Sequence, residues 1–170
     1  MEAKSKRNFK PQREAPEFEQ QIVDIARVTR VMAGGKRMRF RAGVLLGDKK
    51  GRIGFGLAKG KDVSMAVEKA VKKAEKNMIR INLINGTLPH EVRIKDGAAI
   101  VILKPAPEGT GIISGGSVRS VLELAGVQNG VSKILGCNNK VNNVRAAIKA
   151  LSTLKKARIT KVKKQEQEVK

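Results

Sequence analysis

The sequence predicts an α+β protein, in which a three-stranded antiparallel sheet with one helix is followed by a second domain of strands and helices. Three observations carry this prediction. Residues 36–47 (KRMRFRAGVLLG) alternate between charged and apolar side chains, as a half-buried strand does. Residues 63–78 carry apolar side chains at helical spacing. The dipeptides NG at residues 85–86 and DG at residues 96–97 are turn signals between apolar runs.

The charge of the chain indicates a polyanionic partner. The formal net charge is +21, from 36 Lys and Arg against 15 Asp and Glu. Such an excess repels itself in a compact protein unless a partner neutralises it. The basic residues concentrate in residues 1–61, whereas residues 85–141 are nearly balanced, so we expect the second domain to pack against protein. With no membrane-spanning or signal-peptide pattern, we expect a cytoplasmic protein.

Metal, disulfide and catalytic chemistry have little support in the composition. Cys137 is the only cysteine and His90 the only histidine, which excludes an internal disulfide and a zinc-ligand cluster. No Ser, Cys or Asp lies at a spacing from His90 that suggests a catalytic triad. We therefore predict no catalytic residue, no metal and no cofactor, with His90 structural or exposed and Cys137 a small, partly buried side chain.

The first domain is predicted over residues 21–84, after a basic N-terminal arm over residues 1–20. Its first strand covers residues 22–32, which are rich in β-branched side chains and end before a glycine pair. The second strand covers residues 36–47, with arginines at 37, 39 and 41 on one face. We expect its apolar face to lie beneath the helix and its arginine face to meet an anion.

The third strand, RIGFGLA over residues 52–58, carries glycines at alternate positions. Gly54 and Gly56 predict either a close approach to the backbone or a device that twists the strand. A basic loop follows, and Asp62 is the predicted N-cap of the helix. The outer face of that helix carries Lys69, Lys72, Lys73 and Lys76, which suits either a solvated face or an RNA contact.

The second domain is predicted over residues 85–155, with a basic tail over residues 156–170. We predict three further strands, in the runs IRINLI, LPHEVRI and AAIVILKP. A helix over residues 117–126 is expected to end at Gly126. A last helix over residues 143–154 is expected to take Asn142 or Asn143 as its cap.

The glycine-rich loop over residues 104–117 admits three interpretations: a structural turn, a nest for RNA phosphate, or a protein contact. It has no Walker lysine, and its glycine spacing differs from the dinucleotide-binding fingerprint. It loosely resembles the phosphate loop of kinases that act on galactose, homoserine and mevalonate. A small-molecule kinase is therefore an alternative function.

Phosphate contacts fit this chain better than base stacking. It contains four phenylalanines and no Trp or Tyr, so stacking platforms for single-stranded bases are scarce. Arg and Lys on a sheet, a loop and tails read backbone and shape, which favours structured RNA over a DNA operator. A DNA-compacting architectural protein remains a second alternative.

From about residue 20 to residue 154 the chain resembles bacterial-type ribosomal protein five of the small subunit. The resemblance lies in RVTRV, GGKRMRF, GDKKGRIGFGLAKGKDV, AVEKAVKKAEKNM, NGTLPHEV, PAPEGTGIISGG, VLELAG and NNVRAAIKAL. It implies an N-terminal domain similar to double-stranded-RNA-binding domains and a C-terminal βα sandwich of the domain-two type. It also implies a non-enzymatic constituent of the small ribosomal subunit that binds its ribosomal RNA and supports translation accuracy.

The resemblance further implies a protein-contact surface and an RNA-contact loop. Ribosomal proteins four and eight are the implied neighbours, with messenger RNA nearby at the entry path, and residues 31–37 form the RNA-contact loop. Ala33 stands where many family members have a lysine. The predicted RNA-binding residues are Arg27, Arg30, Gly34, Gly35, Lys36, Arg37, Arg39, Arg41, Arg52, Gly54, Gly56, Lys59 and Lys61. The predicted protein-contact residues are Gly109, Gly111, Gly115, Gly116 and Arg119.

Overall fold

The computed structural model describes residues 18–154, which form two four-stranded sheets and three helices. The first sheet has the order β1-β2-β3-β4, with every neighbouring pair antiparallel. Its elements are β1 (Glu19–Met32), β2 (Gly35–Gly47), β3 (Arg52–Gly60), α1 (Val63–Lys76) and β4 (Ile79–Arg80). The predicted strands and helix of the first domain are therefore confirmed.

The second sheet has the order β5-β6-β8-β7, in which β7 and β8 are parallel and the other pairs antiparallel. Its elements are β5 (Val92–Asp96), β6 (Ala99–Pro105), β7 (Ile112–Ile113), α2 (Gly116–Ala125), β8 (Gly130–Ile134) and α3 (Lys140–Ser152). The α+β class, with a sheet-and-helix domain followed by a βα domain, is thus confirmed.

Several boundaries differ from the prediction. The run IRINLI is not a strand of the second sheet, because only Ile79–Arg80 is extended and it pairs with β3. The short strands β7 and β8 were not predicted. The last helix begins three residues earlier than expected. Its N-cap is Asn139, whose side chain accepts a hydrogen bond from the Val141 N–H at 3.1 Å, whereas Asn143 is buried and donates to the Cys137 carbonyl at 2.8 Å.

The alternate glycines of β3 let α1 lie directly on the sheet. A Cβ atom on Gly56 would overlap the Ala70 carbonyl oxygen, and one on Gly54 would overlap the Ala74 carbonyl oxygen. The helix buries its alanine face against these positions. Of the two interpretations of these glycines, close approach to the backbone is the one observed.

The opposite face of the first sheet packs against the second domain. Leu45 and Ile53, both fully buried, belong to one hydrophobic core with Leu122, Val144 and Leu151. The sequence predicted a second strand with one apolar face and an opposite face that carries Arg37, Arg39 and Arg41. In the structure β2 is buried on both faces from Ala42 to Gly47, and the charged part lies beyond that segment.

The β2–β3 turn joins the two domains by capping α2. The backbone N–H groups of Lys49 and Gly51 donate to the carbonyls of Leu124 and Ala125, each at 3.1 Å. These carbonyls belong to the last turn of α2, where helical partners run out. Gly126 adopts a left-handed φ of +86° and ends the helix as predicted. The division of the chain at residue 84 stays a prediction.

The predicted tail over residues 156–170 and all but the last three residues of the arm over residues 1–20 lie outside the described residues. Between residues 18 and 154, no helix is long and apolar enough to cross a membrane. The same part of the chain contains no group of three His, Cys, Asp or Glu side chains that could hold a metal ion.

Candidate nucleic-acid interface

The first two strands extend past the body of the sheet as a two-stranded arm. Pairing between β2 and β3 ends at Phe40 and Gly60, whereas β1 and β2 stay paired to their tip. We call residues 28–39 the basic ribbon. Its tip is a two-residue turn in which Gly34 has a φ of +83°, a conformation that glycine adopts without strain.

Strand register places basic side chains on both faces of the basic ribbon and at its base. Residues directly opposite one another share a face. Arg30 lies opposite Arg37, and both share a face with Arg39. Lys36 lies on the other face, together with Arg27 at the base. All five side chains are exposed, so the surface of the ribbon is basic on both faces.

This surface carries no compensating acid. Residues 27–40 contain five basic residues and no acidic one. Like charges directly opposite on paired strands destabilise each other, as Arg30 and Arg37 do here. An anion between or beside them removes that cost, and the glycine tip leaves room for it, because a Cβ on Gly34 or Gly35 would meet no atom within 4 Å.

Two hollows connect the basic ribbon to the body of the domain. The first holds about 280 Å³ and is lined by Arg30, Arg37, Arg39 and Lys59 together with Val28, Thr29 and Met32. The second also holds about 280 Å³ and is lined by Arg39, Lys59, Gly60, Lys61, Met65 and Lys69. The predicted residues Lys59 and Lys61 thus join the ribbon surface. Lys69, which the predicted set omits, joins them because α1 begins beside the end of β3.

Arg41 differs from its neighbours in the predicted arginine row. Its guanidinium lies 3.0 Å from the Asp24 carboxylate, with the Arg41 side chain 32% exposed. Its Nε atom is buried and has no hydrogen-bond partner among residues 18–154. Lys140 at the start of α3 also approaches Asp24, at 3.9 Å. Arg41 therefore lies in an ion pair near the domain junction and not on the exposed surface of the basic ribbon.

Arg52 and the β3 glycines also lie outside this surface. Arg52 is at the opposite end of β3 from Lys59, where its Nε lies 2.7 Å from the Asp48 carboxylate and its guanidinium stacks over the Phe18 ring at 5.2 Å. Gly54 and Gly56 are buried beneath α1. The structure corrects their assignment: these glycines bring a helix, not a ligand, close to the strand.

Asp48 anchors the β2–β3 turn as an ionised carboxylate. Burial of its side chain raises the pKa, but hydrogen bonds from the Arg52 backbone and side chain and from the Lys50 N–H lower it, and the net pKa is below the ordinary value. A carboxylate that accepts several N–H bonds is stabilised in its charged form. Asp48 thus holds the turn that docks on α2.

The glycine-rich loop before α2 is held in place by Asn129. Asn129 is buried, with 7% of the residue exposed. Its side-chain oxygen accepts from the Gly111 N–H at 3.0 Å, and its backbone carbonyl accepts from the Thr87 hydroxyl at 2.8 Å. Gly109 and Gly111 have φ values of +88° and +72°. The loop is therefore a structural turn, the first of the three interpretations.

The predicted protein-contact residues differ in exposure around this loop. Gly109, Gly111 and Gly116 face open space. Gly115 is the N-cap of α2, and a Cβ there would lie 2.9 Å from the Ile134 side chain. Arg119 is exposed and pairs with Glu123 at 2.9 Å, one turn along α2. Contact of this surface with another protein stays a prediction.

Two family models match the chain. Residues 18–82 match the family model described as ribosomal protein S5, N-terminal domain. Residues 94–166 match the family model described as ribosomal protein S5, C-terminal domain. The two matches follow one another along the sequence and together span most of the chain.

Proposed function

Since the chain belongs to the ribosomal protein S5 family, a family of structural, non-enzymatic proteins of the small ribosomal subunit, we propose that it binds small-subunit ribosomal RNA through the basic ribbon. The observation that carries the proposal is the separation of the ribbon from the rest of the sheet. Residues 28–39 leave the folded body with basic side chains on both faces and no acid. Among residues 18–154, no side chain of the ribbon belongs to either hydrophobic core cluster.

The chemistry of the basic ribbon suits the sugar-phosphate surface of folded RNA. Arg37 and Arg39 present planar guanidinium groups that donate two parallel hydrogen bonds to a phosphate. The glycines at the tip permit the backbone to approach the ligand closely. Met38, on the other face of the ribbon with Lys36, is 52% exposed and offers an apolar contact to a ribose or a base. Contacts of this kind read shape more than sequence.

The second domain supplies the surface that we assign to neighbouring proteins. The loop around Gly111 is hydrogen-bonded to Asn129, and Ile113 beside it is 56% exposed. We propose that this loop and Arg119 contact ribosomal protein four, with ribosomal protein eight as a second neighbour and messenger RNA nearby at its entry path. The shared core and the β2–β3 turn join this contact surface to the domain that carries the RNA-binding arm, which gives the protein a means to support translation accuracy.

Sedimentation and competition test the proposal together. Tagged full-length protein is expected to travel with small ribosomal subunits in a cell lysate, because its RNA site is formed there. In a competition assay at moderate salt, structured ribosomal RNA is expected to displace labelled ribosomal RNA far better than duplex DNA of equal length does. Equal competition by duplex DNA would instead support the architectural alternative.

A further inference from the structure

A third hollow lies where the two domains meet, beside the same strand and helix that line one of the two hollows at the basic ribbon. It holds about 510 Å³ between β3, the end of α1 and α3. The neighbouring hollow by the ribbon uses Lys59 and Lys69, whereas this one uses Leu57 and Lys73. The two β3 residues are neighbours on one face of the strand, and the two lysines lie one turn apart on α1. The same strand and the same helix thus border both hollows, which we together call the groove.

We propose that this groove, together with Arg145 of α3, binds the sugar-phosphate backbone of an RNA strand that continues from the basic ribbon. The inference rests on the proposed function, and it extends the RNA-binding surface across the domain junction to side chains of the second domain. The ligand class is a polyanionic RNA backbone with exposed riboses, in single-stranded or duplex form.

The charges along the groove have one sign on both walls. Lys69 and Lys73 line one side, and Arg145 and Lys149 line the other at the domain junction. Within residues 18–154, no carboxylate lines any of the three hollows. Asp96 lies 3.0 Å from Lys149 at the rim. Within residues 18–154, Asp96 forms no ion pair with the other three cations of the groove. A groove lined by one sign of charge concentrates counter-ions and attracts a polyanion.

The open edge of β3 explains why the groove exists. β4 pairs with β3 only at Arg52 and Ile53, so the edge from residue 55 to residue 60 has no strand neighbour among the described residues. The Lys73 ammonium lies across this edge and donates to the Leu57 carbonyl at 3.3 Å. A free edge bordered by lysines resists pairing with another strand. It therefore suits a ligand that brings phosphates rather than a β-strand.

The floor of the domain-junction hollow also suits RNA. Phe55, Leu57 and Ile148 are partly buried and form an apolar surface between the cationic walls. Riboses and base faces cover such a surface while phosphates meet the rim. An acidic, apolar peptide of a neighbouring protein has a similar composition. RNA is favoured here because the neighbouring hollow along β3 and α1 is lined by Arg39, Lys59, Lys61 and Lys69 and borders the ribbon.

The test compares three triple variants of the full-length chain for binding to small-subunit ribosomal RNA. The groove variant is Lys69→Ala, Lys73→Ala and Arg145→Ala, all exposed helix positions where alanine is well tolerated. The ribbon variant is Arg30→Ala, Arg37→Ala and Arg39→Ala. The control is Lys72→Ala, Arg93→Ala and Lys133→Ala, which removes the same charge from positions that do not line the three hollows.

The groove variant is expected to flatten the dependence of log affinity on log salt by about two to three units, since each phosphate that is no longer neutralised removes roughly 0.7 to 0.9 from the slope. When salt rises from about 50 to about 200 mM, the groove variant should lose affinity by a factor about 25 times smaller than the factor for the unmodified protein. The control is expected to keep the original slope. Replacing Lys69 and Lys73 by arginine should retain it, because the charge remains.

The outcomes separate the groove from the basic ribbon. If the ribbon variant flattens the slope and the groove variant matches the control, the groove proposal is wrong and the proposed function stands. If neither variant differs from the control, both fail. If the groove variant keeps its RNA slope but its reconstituted particles lack one ribosomal protein, the groove binds a peptide and the RNA assignment is overturned.

Discussion

The Arg41 guanidinium lies 3.0 Å from the Asp24 carboxylate, across the first two strands of the sheet. Two residues further out along β2, Arg39 carries no such partner among the described residues and lines two hollows at the base of the basic ribbon. Two arginines on the same face of one strand therefore have different roles. Arg41 is part of the folded body, and Arg39 is part of the proposed RNA surface.

The first prediction separates these two arginines by stability and RNA binding. Arg41→Ala is expected to lower the free energy of unfolding by about 1 to 2 kcal/mol, because the half-buried Asp24 carboxylate loses its closest partner. Arg39→Ala should change that free energy by less than about 0.5 kcal/mol. Urea denaturation measures both. In RNA binding we expect the opposite order, with Arg39→Ala reducing the salt dependence of the affinity more than Arg41→Ala does. A larger reduction for Arg41→Ala would contradict the assignment.

The second prediction concerns the contact between β3 and α1. Gly56→Ala is expected to destabilise the protein by about 2 to 3 kcal/mol or more, because its Cβ would overlap the Ala70 carbonyl oxygen and the helix must shift. Gly116→Ala is the matched control, since a Cβ there meets no atom within 4 Å at the start of α2. Equal midpoints in urea for the two variants would show that α1 lies farther from the strand.

The third prediction concerns pH. The pKa of Asp48 is lowered in the folded protein, so its contribution to stability is present above the unfolded value of about 3.9 and is lost as pH falls through the folded pKa. Asp48→Asn should cost about 1 to 3 kcal/mol at pH 7, where charge-assisted hydrogen bonds are lost. Below about pH 4, the stability of the Asp48→Asn variant should also decline less steeply with falling pH than that of the unmodified protein. Parallel pH curves for the two proteins would count against an ionised anchor.

The fourth prediction concerns the shared core. A fragment of residues 18–82 exposes Leu45 and Ile53, which the intact protein buries fully against the second domain. It also loses the carbonyls of α2 that the β2–β3 turn caps. We expect the fragment to be far less stable than the intact chain, which should unfold in one transition. Two separate transitions in the intact chain, with the first matching the fragment, would show that the domains fold independently.

The elements that the sequence predicted well share a local cause. Alternation along residues 36–47, helical spacing along residues 63–78 and Gly126 at a helix end each arise from neighbours in the chain. The close approach at Gly54 and Gly56 was also open to prediction, because only a bare backbone fits beneath a packed helix. Local chemistry thus specified most of the first domain.

The features that were missed depend on contacts distant in sequence. Arg41 belongs to the same alternation as Arg39, and only the fold shows that Asp24 lies beside it. The run Val44-Leu45-Leu46 was a usable signal, since consecutive apolar residues are typical of a strand buried on both faces. Asn139 was missed as a cap because four asparagines lie close together and periodicity does not choose among them.

The salt dependence of RNA binding by the ribbon variant tests the central claim most directly. With Arg30, Arg37 and Arg39 replaced by alanine, the slope of log affinity against log salt for small-subunit ribosomal RNA is expected to flatten by about two to three units. The control with Lys72, Arg93 and Lys133 replaced should keep the slope of the unmodified protein. If the ribbon variant and the control bind with the same slope and affinity, the basic ribbon is not the RNA-binding surface.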